Sequence, residues 1–441
     1  MAGPNIFGIG TSALSSFQHA IGTTGHNIAN VNTEGYSRQR VEITQRTPQF
    51  TGAGFIGSGV DVLATERIYS SFITNEIRSS TTNYNQLATF HGYSSQIDRL
   101  LADSQAGLQP ALDSFFNSVQ QLSDYPSSIA VRQTVLSEGE ALVSRFASLN
   151  GQLNGIRDSA NLQIRTTVEE INGLASSIAV LNERIVAFQG VGQGQQANDL
   201  LDQRDELMRK LSERVSVTAL EQTDGAINVF IGNGQNLVVG SNANTLSAIP
   251  SSFDASQLDI AIDQGGTTIP ITSQITGGVM AGLYQFQSDV LDPAYNELGM
   301  VAIGLAETFN DQHQLGQDLL GNLGGLFFND IAASSPTAFV NTNNTGTGVI
   351  DASITDPNAL TTSDYRVTYA GGVYTLTRLS DNTTVSSNAA LAPLAVHGIS
   401  LALTSGLVQP NDSFFVRPHY HAAADLRLDS ATPVYLCTSA H

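Results

Sequence analysis

The chain has 441 residues, enough for roughly three domains at about 150 residues each, which excludes a disulfide-held miniprotein. Its 19 basic against 39 acidic residues give a net charge of −20, and Lys210 is the only lysine, so the basic surface that nucleic-acid binding requires is missing. Charged residues make up 13%, about half the ordinary share, and the single cysteine, Cys437, excludes an intrachain disulfide or a zinc site built on cysteine pairs.

Residues 2–33 carry no Asp, Glu, Lys or Arg, and the first basic residue is Arg38, so the N-terminus has no basic stretch of a cleaved secretory signal. No apolar run is long enough to span a membrane. Apolar or small residues recur at alternating steps of three and four through Phe7, Gly10, Leu14, Phe17, Ile21, Thr24, Ile28 and Val31, the spacing of a coiled-coil seam. The same spacing also suits an ordinary amphipathic core helix. With gaps at Gly10 and Thr24 an isolated helix is marginal in water, so the pattern asks for a second helix from this chain or another copy.

The stretch NIANVNTEGYSRQ, Asn27 to Gln39, follows directly. Thr33-Glu34-Gly35-Tyr36 places glycine third, where a type II turn needs positive φ, and Asn30 and Asn32 are positioned to bond nearby backbone amides as the helix ends. Residues 40–70 alternate and are rich in glycine, which predicts extended chain and a hairpin. From Ser70 to about residue 210 long helices dominate, with a stripe at Ile164, Val168, Ile171, Ala175, Ile178, Leu181, Ile185 and Phe188. GVGQG at Gly190 to Gly194 breaks that run, and Asn198 is a candidate N-cap for the short charged helix after it.

Past Val215 the texture changes to β-branched runs separated by glycine turns at Asp224-Gly225, Gly232-Asn233-Gly234 and Gly265-Gly266. This first β region ends near Val279. Helical spacing returns over 281–315 through Leu291, Leu298, Val301, Leu305 and Phe309, and should pack on the earlier bundle. A second β region follows from about Pro336 to Pro418, with Tyr365, Val367, Tyr369 and then Tyr374, Leu376 alternating about Gly371-Gly372. The fold class is therefore α+β and multidomain: a coiled-coil-like N-terminal helix, a long antiparallel helical bundle and two mainly antiparallel β regions. The expected divisions are 1–39 (assembly helix and turn), 40–69 (hairpin connection), 70–213 (bundle), 214–280 (inserted β region), 281–330 (returning helix), 331–418 (second β domain) and 419–441 (atypical tail).

A search for chemistry returns little. GIGTSA at Gly8 matches a dinucleotide fingerprint by letters, but no strand precedes it. His19 and His26 lie too far apart along a helix to chelate one metal and are expected to be solvated or partner-facing. His397, His419, His421 and His441 cluster late without a supporting carboxylate or cysteine. Asp318 opens DLLGNLGG, which lacks the ligands of a calcium loop and reads as a surface turn. Glu169 with Glu170, and Asp202 with Asp205, are expected on solvated helix faces. The sequons at Asn343, Asn382 and Asn411 are expected by chance in so Asn- and Ser-rich a chain. No catalytic, cofactor or metal residues are assigned.

The uncharged heptad helix followed by ANxNTxGYSRQ resembles the axial proteins of the bacterial flagellum, the rod, hook and hook-associated proteins. Within them, GYSRQ at Gly35, GFIGSGVDVLATERIYSSFI from Gly54 and LLDQRDEL from Leu200 are similar to the hook-associated protein 1 family. The resemblance runs from residue 3 to about Pro418. It departs at Glu34, where the family usually has proline, and at the end, where PVYLCTSAH follows Thr432 and the family's long C-terminal helical segment does not. That end reads as a truncated or frameshifted terminus or as a divergent short tail.

The resemblance implies a non-enzymatic structural adaptor without cofactors, exported through the flagellar type III apparatus with no cleaved signal, extracellular, and assembling into a ring that joins hook to filament. Its implied partners are further copies of itself, hook protein and hook-associated protein 3, with an export chaperone expected for the family whose C-terminal site is not found among these residues. Phe7, Leu14, Phe17, Ile21, Ile28 and Val31 would form the assembly seam, and Asn27, Asn30, Asn32, Thr33, Gly35, Tyr36, Ser37, Arg38 and Gln39 the family turn motif. The competing readings are a secreted adhesive or glycan-binding surface protein using the β regions, and an enzyme with an unrecognised site.

Overall fold

A computed structural model describes residues 6–50, 52, 54–103, 107–191, 196–334, 336–391, 394–429 and 432–438. In chain order, helix α1 (Ile6–Ala29) leads into strands β1 (Gln39–Gln45), β2 (Gln49–Phe50), β3 (Phe55–Ile56) and β4 (Val60–Arg67). Helices α2 (Ser71–Leu101), α3 (Leu108–Asp124), α4 (Ile129–Val191) and α5 (Asn198–Arg214) follow. Strands β5 (Val217–Glu221), β6 (Ile227–Ile231), β7 (Gln235–Val239), β8 (Asn242–Ala243), β9 (Thr245–Pro250), β10 (Leu258–Gln264) and β11 (Thr267–Pro270) precede helices α6 (Gly278–Phe286) and α7 (Asp292–Gln314). After helix α8 (Ile331–Ser334) come β12 (Thr337–Val340), β13 (Val349–Ile354), β14 (Tyr365–Ala370), β15 (Val373–Arg378), β16 (Thr383–Asn388), β17 (Leu394–Val396), β18 (Ile399–Ser405) and β19 (Ser413–Arg417), then α9 (Ala422–Asp425). This is an α+β multidomain chain. It divides into two compact units, one of residues 1–89, 164–248 and 259–282, the other of 90–163, 249–258 and 283–441.

In the first unit β1 and β4 pair antiparallel and enclose the short β2–β3 hairpin, which gives the extended connection its hairpin form. The stripe on the second part of α4 is buried from Ile164 to Ile185, whereas Phe188 is exposed one turn before the helix ends at Val191. Most of the GVGQG break lies outside the described residues. Asn182, fully buried, donates its amide to the carbonyls of Ile227 (2.8 Å) and Gly240 (2.7 Å), tying α4 to the sheet β5-β6-β7-β8. Asn198 does not cap α5: Ala197 is the cap without a side-chain bond, and Asn198 Nδ2 instead donates to the Thr65 carbonyl at 2.6 Å. The side chain serves a tertiary contact that local spacing could not reveal.

In the second unit an aromatic cluster forms the helical core, with Phe115 of α3 against Phe309, Phe327 and Phe328 at ring-centroid separations of 5.2–5.9 Å. α7 follows a one-turn π-helix, Gln287–Leu291, because Pro293 in its first turn has no N–H to donate back along the preceding turn. Of the expected stripe, Leu291, Leu298 and Leu305 are buried, while Val301 is exposed on the outer side. The sheets β12-β19-β14-β15-β16 and β13-β18-β17 pack face to face as a sandwich. Their inward residues include Ile350, Val367, Leu376, Leu401 and Phe414. Tyr369 pairs with Tyr374 across the Gly371-Gly372 turn, as the alternation requires.

The tail after Thr432 is packed in the same unit. Arg132 of α4 donates to the carbonyls of Pro433 and Leu436, Cys437 N–H donates to His313 Nε2 at 2.8 Å, and Gln317 and Thr438 exchange backbone bonds.

Candidate functional site

α1 is built the wrong way round for a helix packed only on its own chain. Its buried residues are Ser12 and Ser16, while Phe7, Leu14, Phe17, Ile21, Ile28 and Val31 are each 61–78% exposed. Small polar residues allow close approach to β4: a Cβ on Gly59 would stand 2.3 Å from Ser12 Oγ. The whole large-apolar stripe is left to solvent, with no charged side chain anywhere on the helix to keep it there.

At the C-terminal end of α1 the chain turns sharply and locks. Tyr36 N–H donates to the Thr33 carbonyl at 3.2 Å and Gly35 sits at φ +78°, the expected turn. A side chain there would also put its Cβ 2.8 Å from Glu206 Cβ, so glycine is required twice over. Asn27 is the organiser of the motif. Its Oδ1 accepts from Tyr36 Oη (2.7 Å) and Gln39 N–H (2.8 Å), and its Nδ2 donates to the Gln39 carbonyl (2.9 Å). Asn30 does not bond an amide as expected: its Nδ2 donates to the His26 carbonyl, its Oδ1 accepts from Thr33 Oγ1, and Asn32 is exposed. The helix end is closed by Asn27 reaching forward, which leaves Asn30 facing back. Arg38 is exposed.

This turn docks on α5. Ser37 N–H donates to Asp202 Oδ2 at 2.8 Å, and Gln39 Nε2 to Asp199 Oδ1 at 2.7 Å. Arg67 of β4 bridges Asp202 (3.1 Å) and Asp205 (2.6 Å), and Arg78 of α2 reaches Asp205 at 2.8 Å. Arg209 gathers Glu206, Glu213 and Glu34 at 2.7–2.8 Å. Burial works against the Arg67 charge, yet Asp205 and Asp202 hold it above the ordinary arginine value. The hydrogen bond from Arg209 pulls the Glu206 carboxyl below its usual range. Burial, then the nearby Asp199 and Asp202 charges, raise the Tyr36 phenol.

A further expectation is corrected here. Asp202 and Asp205 are not on a solvated face: Asp202 is buried and both are paired with arginines more than a hundred residues earlier in the chain. His26 is half-exposed and packs edge-on to Tyr36 with Nε2 3.4 Å from Asp199, and His19 is exposed. The spacing Asp199, Asp202, Glu206, Arg209, Glu213 is a charged stripe of helical period in a chain with few charges, a sequence signal that marks the face.

The late histidines stand apart. His419 is fully buried with neither ring nitrogen bonded among the described residues, and burial pushes it down to about 4. His397 meets the Tyr365 hydroxyl, and His441 lies outside the described residues. Among the described residues no group of three His, Cys, Asp or Glu side chains is placed to hold a metal, and no helix is long and apolar enough to cross a membrane. Asp318 caps its own turn by accepting from the amides of Leu320 and Asn322.

Three family models match this chain: "Flagellar hook-associated protein FlgK helical domain" over residues 94–328, "Flagellar hook-associated protein 1, D2-like domain" over 339–418, and "Flagella basal body rod protein" over 7–36. Flagellar hook-associated protein 1 of Salmonella typhimurium is 36% identical over 421 residues, 95% of this chain and 75% of its own length. That of Escherichia coli K12 is 35% identical over 92% and 74%, and that of Bacillus subtilis 30% over 72% and 68%. The solved flagellar hook junction protein FlgK from Burkholderia pseudomallei superposes with a TM-score of 0.76 at 32% identity, over 82% of this chain and 66% of that one. The relatives carry flagellar names, which leaves the adhesive reading without support. With the helical and D2-like domains in sequence order behind the rod-type N-terminus, the chain belongs to the flagellar hook-associated protein 1 family.

Proposed function

We propose that this chain is a structural, non-enzymatic adaptor of the bacterial flagellum that joins hook to filament by assembling with further copies of itself. The observation that carries the reading is the inverted α1, whose serines face its own chain while five large apolar side chains of the helix, and Val31 just past its end, face outward. Such a stripe is stable in water only when another helix covers it. Phe7, Leu14, Phe17, Ile21, Ile28 and Val31 form the assembly seam in this reading. The motif Asn27 to Gln39, clamped on the acidic face of α5, fixes the direction in which the seam leaves the rest of the chain. Hook protein and hook-associated protein 3 are the neighbours, and export is by the flagellar type III route to the cell exterior. The segments 1–39, 40–69, 70–213, 214–280, 281–330, 331–418 and 419–441 are its working parts.

The test replaces the host's hook-associated protein 1 with the tagged chain and images purified flagella by immunogold labelling. Label confined to the hook–filament boundary is expected. Label elsewhere, or its absence from flagella whose filaments remain attached, overturns the reading.

A further inference from the structure

Beside the turn motif a groove of about 700 Å³ runs between the last turns of α1 and β1. Ile28, Val31 and Val41 line its apolar part and Arg38 and Arg40 its rim. Arg38 and Arg40, two residues apart, stand on one face of the extended chain, and both are exposed. Neither makes an ion pair among the described residues, although Glu66 lies opposite Arg40 in the β1–β4 register. In a chain of net charge −20 the neighbouring guanidiniums of Arg46, Arg67 and Arg78 are all matched to aspartates. A cationic rim around an exposed apolar floor selects an acidic, apolar segment.

The first turns of α2 have that chemistry. Phe72 (78%), Ile73 (57%) and Ile77 (50%) are exposed together, and Glu76 stands among them, exposed and without an ion pair among the described residues. We propose that the groove of one copy receives the N-terminal turns of α2 from the next copy, with Ile28 and Val31 against Ile73 and Ile77, and Arg38 and Arg40 toward Glu76. The contact joins two different patches, so it is head-to-tail and propagates as a ring or a helix. It rests on the self-assembly reading above and adds the surfaces by which copies meet.

The experiment uses full-length chains carrying Cys437→Ser, in flagella purified from cells that supply the protein. Two single-cysteine versions, Val31→Cys and Ile77→Cys, are produced together and treated with a short bismaleimide. A covalent dimer containing one of each is expected, and little dimer from either alone. Separately, Arg38→Glu with Arg40→Glu should lower the dimer yield several-fold, and adding Glu76→Arg to that chain should recover most of it. Apart from Cys437, which is buried and is Ser in every chain compared, these positions are exposed, so unfolding is not the expected cause of a loss, and a thermal melt of each variant checks this. If the chain is present in flagella but no mixed dimer forms, or the charge swap recovers nothing, the interface is wrong while the adaptor reading stands. If the chain is absent from flagella, both fall.

Discussion

α1 and α7 are nearly the same length, 24 and 23 residues, and both carry an apolar stripe at helical spacing. α7 buries Leu298 and Leu305 of its stripe and turns Glu297 and Asp311 to water, as a surface helix of a folded unit does. α1 exposes its stripe and has no charged residue on either face. Periodicity therefore identifies a helix with a partner but not whose partner it is. The missing charges supply the rest, because a helix covered on its apolar side within one chain keeps a charged back, and α1 has none.

The largest expected effect tests that contrast directly. Phe115, fully buried among Phe309, Phe327 and Phe328, should lose about 3–5 kcal/mol of unfolding stability as Phe115→Ala. Leu14→Ala on the exposed stripe should change it by less than about 0.5 kcal/mol in the isolated protein. Urea unfolding of the two variants measures both, and a Leu14 loss matching the Phe115 loss would mean that α1 is covered within its own chain.

Next in size is the clamp that aims α1. Asp202→Asn removes the charge that Arg67 shares and weakens acceptance from Ser37 N–H, and should lower stability by about 2–4 kcal/mol, Asp205 retaining part of the pairing. Hydrogen exchange at Ser37 should accelerate with it. An unchanged Ser37 amide would show that the turn holds without α5.

How far these parts could be read beforehand differs for physical reasons. The Gly35 turn, the α4 stripe and the Tyr369–Tyr374 hairpin are set by local φ preference and by side-chain period, so the letters suffice. Asp202 and Asp205 looked solvated because charge on a helix ordinarily is, and their partners Arg67 and Arg78 arrive from more than a hundred residues away. The same holds for Asn198, taken by Thr65, and for the tail, whose odd composition conceals a dock on Arg132 and His313. A charged stripe of helical period can mark such a face, but nothing in the spacing names the distant partner that fills it.

A smaller effect follows from pH and concerns the polar node below the β sandwich that α7 helps to build. Arg417, wholly buried, meets Asp292 at 2.7 Å, Asp364 at 3.2 Å and Asp254 at 3.4 Å, and stacks 3.5 Å over Tyr420. Burial raises Asp364 to about 6, so the stability it contributes is full below the ordinary carboxyl value of 3.8 and is lost as pH rises through about 6. His419, lowered to about 4, contributes stability that is full above 6.5 and is lost as pH falls through about 4. The two oppose each other between roughly pH 4 and 6.5. Asp364→Asn should therefore steepen the loss on acidification and His419→Leu flatten it, by about 1–3 kcal/mol across that range. Unfolding at pH 7, 5.5 and 4 decides, and identical slopes in both variants would contradict the assignment.

The smallest effect is at Glu34, the second position of the Thr33–Tyr36 turn. Glu34→Pro would preset φ at the second position of the Thr33–Tyr36 turn, worth about 0.4–1 kcal/mol through the unfolded chain. It would also remove the Glu34–Arg209 ion pair, whose carboxylate is 72% exposed and which contributes at most about 1 kcal/mol. Arg209 keeps Glu206 and Glu213, so no buried charge is orphaned. The two changes nearly cancel in low salt. Raising the salt screens only the ion pair, so the parent should weaken slightly while the proline variant holds, and the variant should become the more stable of the two. Thermal melts of both at low and high salt measure this. A proline variant that melts well below the parent at high salt would mean that the turn in this chain needs a free amide at position 34, and that the ionic latch does more than replace a preset φ.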